Sequence, residues 1–304
     1  MNSQPGDTHK DLNAGLAGTV MLGDVTINRI AFGTIRLPGP GSWGYPDDAE
    51  EMRRVLRRAV DLGVNYLDTA AYYGPLVSDR LIVEALYPYP SGLIIGTKVG
   101  GWRGSDRRWT GESHPKQLRG AVEDNLNRLR LEQLPLVHFR YNEHSSVPLV
   151  DSLGAMAELQ QEGKIRHLGL SSVTLEQIDT AQKMVQVASV QNLYNLVDRR
   201  DEDIVAYCTQ QGIPFMPYFP LAMGRLGGEV RPLVAIAQRH RAAPAQVALA
   251  WLRARSPQMV LIPGTRSLAH VEENIASVNV QLSEEEWREL ADSPELAAIP
   301  SVRY

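Results

Sequence analysis

Residues 48–74 read DAEEMRRVLRRAVDLGVNYLDTAAYYG. From Asp48 to Leu62 the apolar residues recur at helical spacing and four arginines fill the opposite face, which predicts an amphipathic helix. After Gly63, residues Asn65 to Asp68 form a run long enough for one short strand, with Tyr66 and Leu67 inside it and a carboxylate at its end. A helix followed at once by a short strand is the repeating unit of a parallel sheet covered by helices.

The same alternation continues along nearly the whole chain. The eight predicted strands are Arg29 to Phe32, Asn65 to Asp68, Leu93 to Thr97, Leu136 to Phe139, His167 to Leu170, Ala188 to Gln191, Pro214 to Tyr218 and Met259 to Ile262. Further helices are predicted at Lys116 to Leu129, Leu149 to Glu162, Leu175 to Lys183, Arg200 to Gln211 and Ala245 to Arg255. Eight strands with helices between them predict an α/β fold, a (β/α)₈ TIM barrel.

Both ends of the chain add to the predicted barrel. Thr19 to Leu22 and Val25 to Asn28 flank Gly23-Asp24, the turn chemistry of a β-hairpin that would plug one barrel mouth. An extra helix is expected near the C-terminus. Residues 1–18 are rich in Asn, Gly and Asp and are expected to form a mobile tail. No linker or change in composition divides residues 19–304, which predicts a single domain.

Composition excludes several classes of function. The 304 residues carry a net charge of -4, so no broad basic surface is expected for nucleic acid or anionic lipid. No apolar stretch approaches the roughly 20 residues that span a bilayer, and no signal peptide is recognisable. The single cysteine, Cys208, rules out an internal disulfide framework and fits a cytoplasmic location. The histidines lack metal-ligand spacing, so no metal is predicted. The oligomeric state is not indicated.

Three chemically distinct side chains follow neighbouring strands. Asp68 ends one strand, Tyr73 follows five residues later, and Lys98 ends the next strand. The carboxyl ends of barrel strands build active sites, so the three side chains are expected to converge. A tyrosine is a weak acid near neutral pH unless a cation stabilises its phenolate, and a buried ammonium needs a counterion. Each residue alone also has a structural reading, as packing, cap or surface residue; together they predict a general acid supported by an ion pair.

Several segments in a fixed order resemble the aldo-keto reductase superfamily. They are Asp68-Thr69-Ala70-x-x-Tyr73-Gly74, Gly96-Thr97-Lys98, Gly169-Leu170-Ser171, Val190-Gln191-Asn192-x-Tyr194-Asn195, Tyr218-x-Pro220-Leu221 and Ile262-Pro263-Gly264. The resemblance covers nearly residues 19 to 290. It implies carbonyl reduction with NADPH (NADP⁺ as product) bound across the barrel mouth, without a Gly-rich dinucleotide loop.

Cofactor residues are implied by this resemblance. They are Gly33, Thr34, Asp68, Ser171, Ser172, Gln191, Tyr218, Pro220, Leu221, Gly224, Arg225, Gly264, Thr265, Arg266, His270, Glu273 and Asn274. Ser171 and Gln191 would bind the nicotinamide carboxamide, with Ser172 in place of the family's more common Asn, and Tyr218 would stack on the ring.

The segment from Gly264 to Asn274 resembles the part of the family that holds the adenosine phosphate. It opens a helix, whose N-terminal amides favour an anion, and Arg266 offers a forked donor for a 2′-phosphate. This favours NADPH over NADH. The family's usual lysine is Gly264 here and its usual arginine is His270, and Arg266 could instead be a solvated loop residue.

The fourth strand departs from the family pattern, in which it ends with a catalytic histidine. Here it reads Leu136-Val137-His138-Phe139-Arg140, so an ungapped alignment puts Arg140 at that position. His138 and Arg140 point the same way because side chains alternate along a strand, with His138 one layer deeper. Arg140 is the favoured fourth catalytic residue, as a fixed cationic donor to the carbonyl oxygen, and a two-residue shift would restore His138.

The expected substrate is a small carbonyl compound. Bacterial reductases that act on pyridoxal are the members of the superfamily that the chain most resembles, through Gly74-Pro75-x-x-Ser78-Asp79, Ile95-Gly96-Thr97-Lys98-Val99-Gly100-Gly101 and Phe219-Pro220-Leu221. This resemblance makes pyridoxal the leading candidate. Trp43, Trp102 and Trp109 lie in loops where they would either wall a pocket for a planar ring or pack within the loops. Two other functions remain open: an NAD-dependent dehydrogenase of a sugar or alcohol, and a nucleotide-sensing barrel with little turnover. Retention of Tyr73 and Lys98 argues against the sensor.

Overall fold

In the computed structural model, residues 12–111, 113–142, 145–228 and 230–301 are described. The strands are β1 (Thr19–Leu22), β2 (Val25–Asn28), β3 (Phe32–Gly33), β4 (Tyr66–Asp68), β5 (Ile94–Val99), β6 (Gly101–Arg103), β7 (Trp109–Gly111), β8 (Leu134–Arg140), β9 (Ile165–Ser171) and β10 (Val187–Gln191). The helices are α1 (Ala49–Asp61), α2 (Val77–Leu86), α3 (Pro115–Leu129), α4 (Leu149–Gln161), α5 (Leu175–Gln182), α6 (Glu202–Gln211), α7 (Arg231–His240), α8 (Pro244–Arg255), α9 (Leu268–Ala276), α10 (Glu284–Ala291) and α11 (Pro294–Ala297).

Six strands form one parallel sheet in the order β3, β4, β5, β8, β9, β10. Segments 214–218 and 259–262 close the ring through isolated parallel bridges, which join Val190 to Phe215, Phe215 to Met259, and Ile30 to Leu261. The backbone N–H of Leu261 donates to Arg29 over 2.8 Å at the closing seam. The predicted (β/α)₈ barrel is therefore confirmed, with its last two staves paired by single bridges rather than by full ladders.

The outer helices pack as the periodicity of α1 predicts. Met52, Val55, Leu56 and Ala59 are buried against the sheet. The arginines on the opposite face form ion pairs with glutamates, among them Arg53 with Glu84 at 2.7 Å. These pairs place the arginine-rich face on the outside of the barrel, where its positive charge is balanced by acidic neighbours.

The predicted N-terminal hairpin is confirmed, with β1 and β2 antiparallel over the expected residues. Leu22 and Ile27 are fully buried among the inward-facing side chains of the strands, so the hairpin closes the N-terminal mouth of the barrel. At its turn, Asp24 contacts Arg166 at 2.6 Å and His167 at 2.7 Å. With that mouth plugged, a ligand can reach the barrel interior from the opposite end, where the strands terminate.

The predicted mobile tail needs a correction at its C-terminal part. Residues 1–11 lie outside the described residues, but residues 14–17 form a 3₁₀ turn capped by Asn13. Ala14 and Ala17 are buried, and the Ala14 N–H donates to the Leu62 carbonyl over 2.8 Å. Ordered structure thus begins ahead of the predicted boundary at residue 19, because two alanines there pack on the barrel.

Beyond the barrel staves, the sequence did not predict β6 and β7. They pair antiparallel directly after β5, and their Trp102 and Trp109 pack against Tyr72 and Tyr73. The predicted C-terminal extra helix is present as α10, with the short α11 after it. Within the described ranges, no helix is long and apolar enough to cross a membrane.

Candidate active site

A central cavity lies at the C-terminal ends of the strands. Its lining residues are Gly33, Ile35, Asp68, Tyr72, Tyr73, Lys98, Trp109, Arg140, Ser171, Gln191, Tyr218, Phe219 and Ile262. Asp68, Tyr73 and Lys98 therefore meet in one place, as the strand ends predict. Asp68 closes β4, Lys98 is the penultimate residue of β5, and Tyr73 follows on the loop after β4.

The Asp68–Lys98 pair is buried at the floor of this cavity. The ammonium of Lys98 contacts Asp68 Oδ2 at 2.6 Å and also donates to the Thr69 carbonyl at 2.9 Å, and the two side chains are each 3% exposed. Gln191 donates to the other carboxylate oxygen, Oδ1, at 2.8 Å. Burial lowers the pKa of Lys98, while the Asp68 carboxylate opposes that shift. Asp68 is therefore the group that keeps this buried lysine charged.

A second carboxylate supports this pair from behind. Asp79 on α2 is fully buried and accepts from the Thr69 hydroxyl at 2.8 Å, which fixes the residue whose carbonyl holds Lys98. Burial raises the pKa of Asp79, and Arg128 at 3.5 Å opposes the shift. This supporting contact of Asp79 was not predicted from the sequence.

Tyr73 lies directly beside the lysine. The Lys98 ammonium is 5.0 Å from the centroid of the Tyr73 ring, and the tyrosine is 8% exposed. A cation at this distance stabilises negative charge on a phenol by a few kcal/mol at the effective dielectric of a protein. The geometry thus combines a phenolic proton donor, a fixed ammonium and a carboxylate in one buried cluster.

The fourth strand places its two candidates at different depths. Arg140 ends β8 at the cavity wall, with its guanidinium carbon 5.3 Å from the ring centroid of Trp109. His138 is completely buried below, where its Nε2 lies 2.9 Å from the Ser189 hydroxyl, and it does not line the cavity. The imidazole fits there because its neighbour in register is Gly169, at which a Cβ would come within 2.6 Å of the ring.

The charge state of His138 follows from this position. Burial, with the Lys98 charge in addition, holds the pKa of His138 well below its usual value. The imidazole is therefore neutral near pH 7 and too deep to meet a substrate at the rim.

Residues predicted to hold the nicotinamide surround the same cavity. Ser171 ends β9, and Gln191 ends β10 beside it in register. Ser172 has a positive φ of 58°, which turns its side chain so that Oγ lies 3.4 Å from the Tyr218 hydroxyl. Thr34 lies apart from the cavity; it is buried, and its hydroxyl donates to the Asp68 carbonyl at 3.0 Å.

A long cleft adjoins the central cavity, and Ile35 and Phe219 line both. The residues predicted to bind the cofactor that line this cleft are Pro220, Leu221, Gly224, Gly264, Thr265, Arg266, His270, Glu273 and Asn274. The N-terminus of α9 opens into it, capped by the Ser267 side chain. Basic side chains and a helix N-terminus fit a dinucleotide with its phosphates at the helix end.

Two arginines differ from the sequence-based expectation. Arg225 does not line the cleft, and its guanidinium donates to the Pro300 carbonyl at 2.5 Å. The chain is kinked just before it by positive φ angles at Met223 and Gly224. Arg36, which the sequence analysis missed, lines the cleft and donates to the Met223 carbonyl at 2.9 Å. It lies on the loop that begins four residues earlier, at the end of the predicted strand Arg29 to Phe32, and this place near a strand end was the available signal.

Within the described part of the chain, no group of three or more His, Cys, Asp or Glu side chains could hold a metal ion. His144, one of the scattered histidines, lies outside the described residues. Cys208 is buried in the core, where burial raises the pKa of its thiol to about 12.

Known proteins are similar to this chain in sequence and architecture. The chain is 42% identical over 274 residues to pyridoxine 4-dehydrogenase of Escherichia coli, covering 88% of this chain and 96% of that protein. It is also 42% identical over 279 residues to an uncharacterized oxidoreductase of Schizosaccharomyces pombe, covering 92% and 90%. A solved aldo/keto reductase from Klebsiella pneumoniae in complex with NADP and acetate superimposes with a TM-score of 0.74 at 26% identity, covering 87% and 90%. The family model matches residues 29–294, and the chain belongs to the aldo/keto reductase family.

Proposed function

We propose that this protein reduces an aldehyde or ketone with NADPH, with Tyr73 as the general acid. The observation that carries the proposal is the buried cluster of Asp68, Lys98 and Tyr73 at a cavity that adjoins a cleft lined by Arg36, Arg266 and a helix N-terminus. The structure of the Klebsiella pneumoniae relative, which contains NADP, supports the choice of cofactor. Bound NADPH would supply the hydride that the carbonyl carbon accepts.

The protein's own residues divide the remaining work. Tyr73 delivers its proton to the carbonyl oxygen as negative charge develops there. Lys98 stabilises the phenolate that remains, and Asp68 holds the lysine charged and in place. Arg140 donates to the same oxygen from the cavity wall and cannot supply a proton, so the acid role falls to Tyr73 alone.

The cleft indicates how the cofactor is held. Arg266 and the N-terminus of α9 offer donors to a 2′-phosphate, and Arg36 adds a second guanidinium. Ser171 and Gln191 would bind the carboxamide and Tyr218 would contact the nicotinamide, since all three line the central cavity. These contacts favour NADPH because NADH lacks the phosphate that Arg266 would bind.

Pyridoxal is the proposed substrate. The support is the 42% identity to a pyridoxine 4-dehydrogenase together with a cavity walled by Trp109 and Tyr72, which suits a planar ring. The cytoplasmic location expected from the sequence stays a prediction.

The test is NADPH oxidation with pyridoxal, simple aliphatic aldehydes and aldose sugars, run with the wild type and with Tyr73→Phe. We expect the highest kcat/KM with pyridoxal. The variant should lose about 10²–10⁴-fold in kcat, the usual contribution of a positioned acid, and should still bind NADPH. A variant that keeps wild-type turnover would show that another group is the acid, and faster turnover with NADH would overturn the cofactor assignment.

A further inference from the structure

The hydroxyl of Tyr72 is the polar group in the cavity that the proposed reaction does not use. Tyr72 is 1% exposed and lines the central cavity. The Arg140 guanidinium interacts with its hydroxyl, but no described residue accepts a hydrogen bond of ordinary geometry from that hydroxyl. A buried donor without an acceptor costs about 1–3 kcal/mol. A phenylalanine would avoid that cost in the same space, so the hydroxyl is expected to donate to a ligand atom.

The ring of Tyr72 is held firmly, which fixes the direction of its hydroxyl. It packs edge-to-face against Tyr73, with ring centroids 5.2 Å apart, and against Trp109 at 5.0 Å. Trp109 in turn lies against the Arg140 guanidinium. Tyr72 is thus locked between the proposed acid and the residue that walls the cavity.

The electrostatic neighbours of the Tyr72 hydroxyl are those of the cavity. Burial raises the pKa of Tyr72 to about 12, against a lowering effect of Arg140, and Asp68 and Tyr218 act on it as well. The phenol is therefore protonated at any pH at which the enzyme would be assayed. It is a hydrogen-bond donor close to a permanent cation.

We propose that Tyr72 and Arg140 form a second oxygen site beside the carbonyl site. This site would select carbonyl compounds that carry a hydroxyl or phenolate on the atom next to the one bearing the carbonyl group. Tyr73 and Arg140 hold the carbonyl oxygen, while Tyr72 and the guanidinium hold the neighbouring oxygen. The inference rests on the proposed function, because it takes Tyr73 as the residue that marks the position of the carbonyl.

The Arg140 guanidinium can serve both oxygen positions, while Tyr73 and Tyr72 each donate to one of them. Arg140 offers five N–H donors in a fixed fork and can serve two oxygens at once, whereas the histidine usual at this position could serve one. Tyr72, Tyr73 and Arg140 line the same cavity, so adjacent oxygens on one planar ring can contact the two hydroxyls and the guanidinium together. Pyridoxal has this arrangement, with a hydroxyl on the ring carbon beside the one that carries the aldehyde.

Salicylaldehyde and benzaldehyde test the site because they differ only in the neighbouring hydroxyl. The variant is Tyr72→Phe, which keeps the ring packing, and para-hydroxybenzaldehyde controls for a hydroxyl in the wrong position. We expect kcat/KM for salicylaldehyde to fall about tenfold further than kcat/KM for benzaldehyde, as the loss of one hydrogen bond implies. The para isomer should follow benzaldehyde. Equal losses for all three aldehydes would overturn the proposal.

A matched control is Tyr207→Phe, which removes a hydroxyl that bonds Gln182 at 2.6 Å on the outside of the barrel. It should leave the ratio of the two kcat/KM values unchanged. Urea unfolding of each variant reports whether Tyr72→Phe is folded to the same extent.

Binding separates failure of this inference from failure of the proposed function. Dissociation constants of salicylaldehyde and benzaldehyde can be measured by quenching of tryptophan fluorescence, since Trp109 lies at the cavity. If none of the aldehydes supported NADPH oxidation by the wild type, the proposed function would be refuted. The oxygen site would still be supported if Tyr72→Phe weakened the binding of salicylaldehyde about tenfold more than the binding of benzaldehyde. Equal weakening of both would overturn the site whether or not the enzyme turns over.

Discussion

Replacing Lys98 by methionine tests the electrostatic core of the proposed mechanism. The ammonium lies 5.0 Å from the centroid of the Tyr73 ring, and Coulomb's law at that distance gives about 3 kcal/mol with an effective dielectric of about 20. Methionine keeps the length of the side chain but removes this charge. If the stabilisation is felt as Tyr73 releases its proton, the reduction step of Lys98→Met should slow by about 10²-fold.

The assay is single-turnover oxidation of NADPH after rapid mixing with aldehyde, because this isolates the chemical step from cofactor binding and product release. Stability needs separate control. Removing one partner of a buried ion pair costs about 3–5 kcal/mol, since Asp68 is left as an uncompensated charge. Urea unfolding should therefore show a less stable but folded Lys98→Met.

A double variant separates the two effects. In Lys98→Met with Asp68→Asn, both charges are gone and the amide can still accept from Gln191, so most of the lost stability should return. The rate should stay low because no cation faces Tyr73. Recovery of the rate in the double variant, or a loss below about fivefold in the single one, would refute the role assigned to Lys98.

Two further predictions concern the cofactor cleft and the buried histidine. Arg266→Gln should raise KM for NADPH by about 10–100-fold, which corresponds to the loss of a charged hydrogen bond to phosphate, and should leave KM for NADH nearly unchanged. Steady-state kinetics with both cofactors measure this difference. Equal changes in the two KM values would contradict the assignment of Arg266 to the phosphate. The pKa of His138 is held well below 6.5 in the folded protein. As the pH falls below 6.5, this histidine binds a proton in the unfolded chain but not in the folded one. The free energy of unfolding should therefore drop by up to about 1.4 kcal/mol per pH unit. His138→Gln should remove this pH dependence. Urea unfolding between pH 6.5 and 5.5 should then show a smaller loss of unfolding free energy than in the wild type, while reduction of aldehydes continues. An unchanged dependence of the unfolding free energy on pH would contradict a buried neutral imidazole.

Sequence reasoning succeeded where local chemistry determines the structure. The Gly23-Asp24 turn fixes the register of its hairpin, because a two-residue loop leaves little choice of pairing. The meeting of Asp68 and Lys98 followed from their places at the ends of adjacent parallel strands. Alternation along β8 also gave the depths of His138 and Arg140 correctly, since residues two apart on a strand face the same way.

Where the backbone leaves regular geometry, sequence patterns were not sufficient. Tyr72 and Tyr73 are successive residues that both line the cavity, which strand alternation forbids and a turn allows. Arg225 was assigned to the cleft, yet the left-handed residues Met223 and Gly224 redirect the chain and its side chain bonds Pro300. Such turns depend on tertiary contacts that no short window of sequence contains.

The exchange of the family's histidine for Arg140 places a second cation at the cavity. Lys98 and Arg140 line the same space as the Asp68 carboxylate, which is paired with Lys98. Arg140 also lowers the pKa of Lys98, an effect that burial dominates and Asp68 opposes. A neutral carbonyl compound would leave this repulsion in place. A substrate with an anionic oxygen beside its carbonyl would relieve it, and the same electrostatics would stabilise the charge that develops as Tyr73 gives up its proton.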